Sequence, residues 1–518
     1  MQIDSGAHRA DGTRRRGLAL VILAVVAVVA AAITVAIARA GNDPPPIPKN
    51  AIRVDVSPHP VSRRIAPGYV GLSIEYPSSI GYSGRNPNRP NLVYVKLVRG
   101  LNPGHSPIIR FGGDTADWTW WPTPGVRKPR GIRYTLTRRW LNVTRATARA
   151  LNARLILGIN FEADSRRIAG TEARVLLAGI GRRYVAGLEL GNEPEVYGTL
   201  PWYTTPGGVP VPGRPASYGF ASFLPDYANV VSALPRHIAL VGPASGAGPW
   251  LTGLGRYLKA NRRVRIATFH RYPLHRCFTP RGSPAYPTIA NLLSPLASSG
   301  PAVSLRAGAG VAHAHGVPLR SDELNSVSCG GAHGVSDTFA SALWILDTLF
   351  NMARAGVDGV NIHTFRTGTY APFSFSFSRG RWSAQVKPMY YGMLLFGRGA
   401  PPGSRLLHTR FSGPRAVRIW STRGPDGRIR ATLINASRRH AVTLAVRLPA
   451  GGHNAILQRL RAPRVGAKRG VTIAGQSYGS HTLTGALTGS AHSVSLVATH
   501  GRFVIRLPAA SAALVTVS

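Results

Sequence analysis

The chain has 518 residues, 44% of them hydrophobic and 16% charged, which excludes a small module or a disordered chain and fits one large domain plus a smaller one. Its 63 Lys+Arg against 20 Asp+Glu give a formal net charge of +43, which invites a nucleic-acid reading. The distribution argues against that reading: the basic residues are nearly all Arg, scattered singly with no dense run longer than Arg14 to Arg16, the picture that the codon bias of a GC-rich genome also gives, with attraction of an acidic polysaccharide or an anionic membrane surface as the alternative.

Residues 1–16 end in Arg14, Arg15 and Arg16, and residues 17–38 carry no charge. At ~1.5 Å per residue that run is long enough to span a hydrocarbon core of ~30 Å, so it predicts a transmembrane signal-anchor. The arginines before it predict a cytoplasmic N-terminus and an extracytoplasmic body, placing the protein at the cell membrane. Ala38-Arg39-Ala40 resembles a small-x-small cleavage site, so removal as a signal peptide is the competing reading. Either way the body is exported. Residues 39–51 form a linker in which Pro44-Pro45-Pro46 cannot continue a helix and predicts a stiff, extended spacer.

Over residues 52–398 short apolar runs alternate with longer amphipathic segments, the pattern of a parallel α/β architecture. Candidate strands fall at 69–74, 107–111, 154–160, 185–190, 238–241, 265–269, 317–321 and 359–362. Several lead into polar residues: Asp114 after Gly112-Gly113, Asn192-Glu193, His270 and Tyr272, Glu323, and His363. In an eight-stranded (β/α) barrel, the TIM barrel, these ends converge on one mouth. A doubly wound sheet is the fallback, although no Gly-rich nucleotide fingerprint follows any candidate strand. Over residues 399–518 alternating runs such as Val417-Arg418-Ile419-Trp420, separated by Gly and Pro, predict an antiparallel β-sandwich. Residues 52–56, ahead of the first barrel strand, have a composition able to add a strand to it.

The chemistry concentrates in Leu188-Glu189-Leu190-Gly191-Asn192-Glu193-Pro194, an apolar strand ending in an amide, a carboxylate and a proline. Retaining glycoside hydrolysis needs one carboxyl to protonate the leaving oxygen and a second, ~5–5.5 Å away, to attack the anomeric carbon. Asn192 would hydrogen-bond the sugar's 2-OH as the oxocarbenium-like transition state forms. The partner carboxylate is Glu323, at the end of the seventh candidate strand, and strand alternation places its neighbour Asp322 on the opposite face.

The run Glu323-Leu324-Asn325-Ser326-Val327-Ser328-Cys329-Gly330-Gly331, followed by Gly334-Val335-Ser336-Asp337-Thr338-Phe339-Ala340 and Leu343-Trp344, resembles glycoside hydrolase family 79. Arg110-Phe111-Gly112-Gly113 and Glu189 to Pro194 match that family's barrel motifs in the same order, and the resemblance extends from about residue 52. The family holds β-glucuronidases and heparanase-like endoglucuronidases. The resemblance implies a clan A barrel with Glu193 as acid/base, Glu323 as nucleophile, and no metal or organic cofactor. It further implies that Tyr272 hydrogen-bonds the nucleophile and that Gly330 and Tyr370 read the substrate's carboxylate. Ser328 stands where well-studied members often carry a tyrosine, which keeps open a clan A glycosidase for neutral sugars such as a β-glucosidase or β-xylosidase. A non-catalytic surface protein that binds acidic glycans is the reading from a different class.

Asp114 and His363 are candidates for contacting sugar hydroxyls. Cys277 and Cys329 are the only cysteines, and the sequence leaves open whether they pair or stay as free thiols. Asn142-Val143-Thr144 and Asn435-Ala436-Ser437 match glycosylation sequons; His313 and His315 read as loop histidines; Trp118, Trp120 and Trp121 read as buried packing, with a sugar-stacking platform as the alternative.

Overall fold

The structure, a computed structural model, describes residues 46–449 and 452–517. The anchor expected at 17–38, the cytoplasmic segment 1–16 and most of the spacer lie outside these residues. Among the described residues no helix is long and apolar enough to cross a membrane.

Eight strands close into a barrel: β1 (Val70–Glu75), β2 (Ile108–Gly112), β3 (Arg154–Ile159), β4 (Val185–Leu190), β5 (Leu240–Ser245), β6 (Val264–Arg271), β7 (Leu319–Leu324) and β8 (Gly359–Thr364). Each pairs in parallel with the next, and β8 closes on β1 with Val360 opposite Val70 and Thr364 opposite Ile74. All eight candidate strands are present. Four run at least two residues further than expected: β5 continues to Ser245, β6 to Arg271, β8 to Thr364, and β7 through Ser321-Asp322-Glu323, a polar stretch that reads as a strand terminus in the sequence. The stretch is buried because its charges are paired across the barrel, as described below.

The strands read as near-continuous apolar runs, such as Leu155-Ile156-Leu157, because helices cover the barrel. The sequence also marks where those helices begin. Thr137 and Ser165 accept hydrogen bonds from the backbone N–H groups of Trp140 and Ile168, capping Arg138–Leu151 and Arg166–Ile180. Helix Phe339–Arg354 is buried along nearly its whole length, with no polar face. Its Asp347 accepts a 2.8 Å hydrogen bond from Trp420 and a 2.9 Å ion pair from Arg418, both in the C-terminal sheet. A helix covered by the barrel on one side and a second domain on the other has no solvent stripe to leave polar.

The C-terminal domain is one ten-stranded sheet enclosing its own apolar interior, which includes Leu433, Leu444, Val446 and Val515. The segment Ile52–Pro60 belongs to it: antiparallel to Arg405–Phe411 on one side, parallel to Val442–Arg447 on the other. Val54 is fully buried there, an apolar contribution of ~1.5–3 kcal/mol. The barrel's own chain therefore starts at β1, and residues 52–60 join the far domain.

Other expectations resolve locally. His313 lies in the last turn of helix Pro295–Ala314 rather than in a loop, with Nε2 2.7 Å from Asp358, a partner too distant in sequence to be anticipated. Trp120 is buried with Trp202, Ile132 and Ile168, and Trp118 lies beneath the Arg133 guanidinium, so the tryptophans pack. Asn435 is fully buried and donates to the carbonyl oxygens of His440, Leu507 and Pro508, which removes it as an accessible sequon.

Candidate active site

Beyond β4 the chain turns sharply. Gly191 has φ 71°, and a Cβ there would collide with the Tyr197 hydroxyl and Phe161. Glu193 also takes a left-handed conformation, φ 48°, uncommon for a residue with a side chain. Asp117 fixes the turn: its Oδ2 accepts from the Asn192 N–H at 2.8 Å and from the Tyr197 hydroxyl at 2.6 Å. The Glu193 N–H donates to the Ala244 carbonyl at 2.8 Å, tying the turn to β5.

β7 delivers Glu323 by a different device. Thr268 and His270 of β6 lie opposite Arg320 and Glu323, so three steps along β7 match two along β6; the same mismatch recurs against β8, where Ser321 and Leu324 face Val360 and Ile362. This β-bulge breaks the alternation. Asp322 and Glu323 consequently both reach Arg110, at 3.1 and 2.7 Å, which corrects the expectation that Asp322 faces the other way.

Arg110, on β2, is the hub. It is fully buried and donates to Glu189 at 2.5 Å, to Glu323 Oε2 at 2.7 Å, to Asn192 Oδ1 at 2.9 Å and to Ser73 at 3.1 Å. One guanidinium thus orients both the amide before Glu193 and the carboxylate of Glu323. Burial, then the charge of Glu189, pushes the Asp322 carboxyl far up, so it stays neutral beside the ionised Glu189. The buried cluster is therefore less anionic than its residue count implies.

Glu323 shows the opposite balance. Burial would raise its pKa, but the positive charges of His363, His270 and Arg110 and a 2.7 Å hydrogen bond donated by Tyr272 to Oε1 outweigh it, bringing it down to about 2. His270 sits between the two carboxylates, with Nδ1 2.9 Å from Glu193 Oε1. Burial lowers its pKa, but Glu323 and the bond to Glu193 carry it up to about 9. One oxygen of Glu193, one of Glu323 and a His270 nitrogen lie within 4.8 Å of one another.

The remaining expected residues meet at the same mouth. Asn192 Nδ2 donates to Asp114 Oδ1 at 3.2 Å. Asp114 faces the open cleft but is ringed by protein; that enclosure, then the carboxylates of Glu75, Glu193 and Glu323, raises its pKa to about 8. His363 lies 3.3 Å from Glu75 and 3.4 Å from Glu323 Oε2. The Tyr370 ring stacks on that of Tyr272 with centroids 6.4 Å apart. Thr369 N–H donates to the Gly330 carbonyl at 2.8 Å, holding the loop after β7 beside Tyr370. Cys329, Gly330 and Gly331 have φ of 58°, 82° and 90°, and among the described residues the N–H groups of the two glycines have no partner in the chain. Cys277 and Cys329 are bridged, with Cα atoms 6.4 Å apart, which fastens this loop to the one after β6.

Sequence reading assigned no role to Arg110, His270, Glu75 or Asp117. Arg110 had a signal: an arginine in the middle of an apolar strand must be paired once buried. Glu75 and Asp117 had none, because their partners, Thr115 with His363 and the Asn192 turn, are set only by folding.

A closed parallel barrel with paired carboxylates at the ends of its fourth and seventh strands, backed by a β domain, defines a glycoside hydrolase. Residues 420–514 match the glycosyl hydrolase family 79 C-terminal beta domain. A β-glucuronidase of Neurospora crassa is 25% identical over 388 residues, covering 68% of this chain and 67% of that protein. The chain is thus similar to glycoside hydrolase family 79, through its C-terminal domain and through the Neurospora relative. Among solved structures, a 4-O-α-L-rhamnosyl-β-D-glucuronidase from Fusarium oxysporum 12S, in complex with Rha-GlcA, superposes with TM-score 0.68 at 19% identity, over 90% of this chain and 100% of that one. The GH51 arabinofuranosidase of Xanthomonas axonopodis pv. citri superposes with TM-score 0.61 at 14% identity over the same shares. At these identities the solved structures speak to the fold alone.

Proposed function

We propose that the protein is a retaining β-glucuronidase that removes β-linked glucuronic acid, or a derivative of it, from a glycan or glycoconjugate. The observation that carries the mechanism is the approach of Glu193 and Glu323 oxygens to within 4.8 Å. Such proximity fits the ~5–5.5 Å of retaining enzymes and not the ~6.5–9.5 Å that inverting enzymes keep for a water. Glu323, ionised down to about pH 2, attacks the anomeric carbon while Glu193 donates a proton to the departing oxygen. Forming the glycosyl ester removes the negative charge of Glu323. Glu193 then takes a proton from water, whose oxygen attacks the anomeric carbon and releases Glu323. Asn192, held through its oxygen by Arg110, offers its Nδ2 to the sugar 2-OH, and Asp114 and His363 contact other hydroxyls.

The glucuronide preference draws on the Neurospora relative and on the loop after β7. Two glycine N–H groups without a partner among the described residues, in a loop tied by its Gly330 carbonyl to Thr369 next to Tyr370, bind a carboxylate without an arginine, as backbone nests do. We also propose export through residues 17–38, with the segment retained as a membrane anchor; the Cys277–Cys329 bridge fits an oxidising compartment. The test compares hydrolysis of an aryl β-D-glucuronide with the matched β-D-glucoside and β-D-xyloside, with Glu323→Ala as control. Preferential glucuronide cleavage that disappears in the variant supports both parts. Preference for a neutral glycoside keeps the mechanism and overturns the substrate, and wild-type activity in Glu323→Ala overturns the mechanism.

A further inference from the structure

A groove of about 1330 Å³ is built largely by segments that follow barrel strands β1 and β8 and contains none of the residues of the carboxylate site. It is built by the segment after β1, from Pro77 to Val93, and by Arg366 with the hairpin Phe373–Ser378/Arg381–Val386 after β8. Both flanks begin close to site residues in the chain: Pro77 follows Glu75, and Arg366 follows His363. The Arg366 N–H donates to Ser78 at 3.2 Å, joining the two flanks where they leave the site.

Its lining is distinctive. Arg85, Arg89, Arg366 and Arg381 are all exposed, and among the described residues no Asp or Glu lines the groove. Among the described residues none of these four guanidinium groups is engaged in an ion pair. Phe377 and Trp382 face each other across the hairpin with ring centroids 5.0 Å apart, and Phe377 is 59% exposed. Leu92 and Leu483, at 67% and 60% exposure, complete the rim. Unpaired arginines beside open aromatic rings fit an anionic polymer that presents both charge and flat apolar faces. The volume exceeds the ~300–1,000 Å³ of ordinary small-molecule sites, as an extended ligand requires.

The geometry points to a second glycan-binding site: this groove holds a uronate-bearing stretch of acidic polysaccharide beyond the sugar seated between Glu193 and Glu323. The choice of polysaccharide rests on the glycosidase reading and on the groove's flanks starting two and three residues after Glu75 and His363, whereas the groove's preference for an anionic polymer does not rest on that reading. A single-stranded nucleic acid is the rival occupant, since arginines and stacked aromatics also track phosphates and bases.

The test titrates the full chain carrying Glu323→Ala with a fluorescent hyaluronan decasaccharide, a neutral chitooligosaccharide and oligo(dT). The decasaccharide is expected to bind tighter than the neutral oligomer, to weaken with added salt, and to lose about tenfold in affinity when Arg89→Ser and Arg381→Ser are added. Both side chains are exposed and unbonded, so folding is retained; Trp382→Ala is the independent second variant. In the Glu323 background, Arg89→Ser/Arg381→Ser is expected to leave aryl β-D-glucuronide kcat/KM unchanged, because that substrate does not reach the groove. Equal decasaccharide affinity with and without the groove substitutions overturns the proposal, as does displacement of the decasaccharide by oligo(dT) with tighter binding of the latter. Groove-dependent decasaccharide binding in a protein that cleaves no glucuronide supports this site while removing the catalytic reading.

Discussion

Replacing Tyr272 with Phe deletes one hydroxyl and leaves the ring, so stacking on Tyr370 survives and the change isolates the 2.7 Å bond to Glu323 Oε1. The fall of the Glu323 pKa from its ordinary 4.5 to about 2 corresponds to roughly 3 kcal/mol of preference for the carboxylate, held against the cost of burial. His363, His270 and Arg110 supply more of it than Tyr272 does, so removing the hydroxyl is expected to raise the Glu323 pKa by roughly one pH unit. The sign follows from linkage. A carboxyl depressed on folding contributes stability that is present above its unfolded pKa and lost as pH falls through the folded value, and the nucleophile is ionised over the same range. The acid limb of kcat/KM for an aryl β-D-glucuronide therefore moves upward by roughly one pH unit in Tyr272→Phe, with a fall of about tenfold on the plateau. The assay is a pH–rate profile from the acid limb to neutrality, with intrinsic fluorescence confirming that both proteins stay folded at each pH. An acid limb that does not move would refute the claim that this bond helps keep the nucleophile ionised.

Further expectations concern the partner carboxylate, the buried charges and the loop. Glu193→Ala is expected to keep turnover of glucuronides with very acidic leaving groups and to be rescued by azide as the β-glucuronosyl azide; formation of the α-product instead would exchange the roles of Glu193 and Glu323. Asp322→Asn is expected to cost less than ~1 kcal/mol in urea unfolding because Asp322 is already neutral, whereas Arg110→Met strands Glu189 and Glu323 and costs ~3–5 kcal/mol. Equal losses for the two variants would contradict the assigned charges. Cys329→Ser releases the loop after β7 and is expected to lower stability by ~2–4 kcal/mol while raising KM for the glucuronide more than for a neutral glycoside. A uniform KM change across both substrates would remove the loop from carboxylate recognition.

Much of the site was legible because barrel strands announce themselves locally. A short apolar run followed by a polar residue is a property of a few neighbouring positions, and in a parallel barrel the ends of such runs must share one mouth. Glu193, Asn192, Glu323, Tyr272, His363 and Asp114 are therefore brought together where strand-end reasoning expects them. What failed was any inference that treated a strand as regular. Asp322 turns inward through a bulge, which exists only in the register between β7 and its neighbours. The strand expected at 52–56 as an addition to the C-terminal domain, by contrast, is present as Ile52–Pro60 between Arg405–Phe411 and Val442–Arg447.

The sequence by itself determined the alternation of strands and helices, the second β domain and the two glutamates, because hydrophobic period and strand-end chemistry are written over short windows. Tertiary structure alone decided the electrostatic state of the site. Whether Glu323 is ionised at about pH 2 and Asp322 neutral depends on how near Arg110, His270 and His363 come to each after folding. Those groups arrive from β2, β6 and β8, so burial and Coulomb interaction act between residues that no local pattern connects.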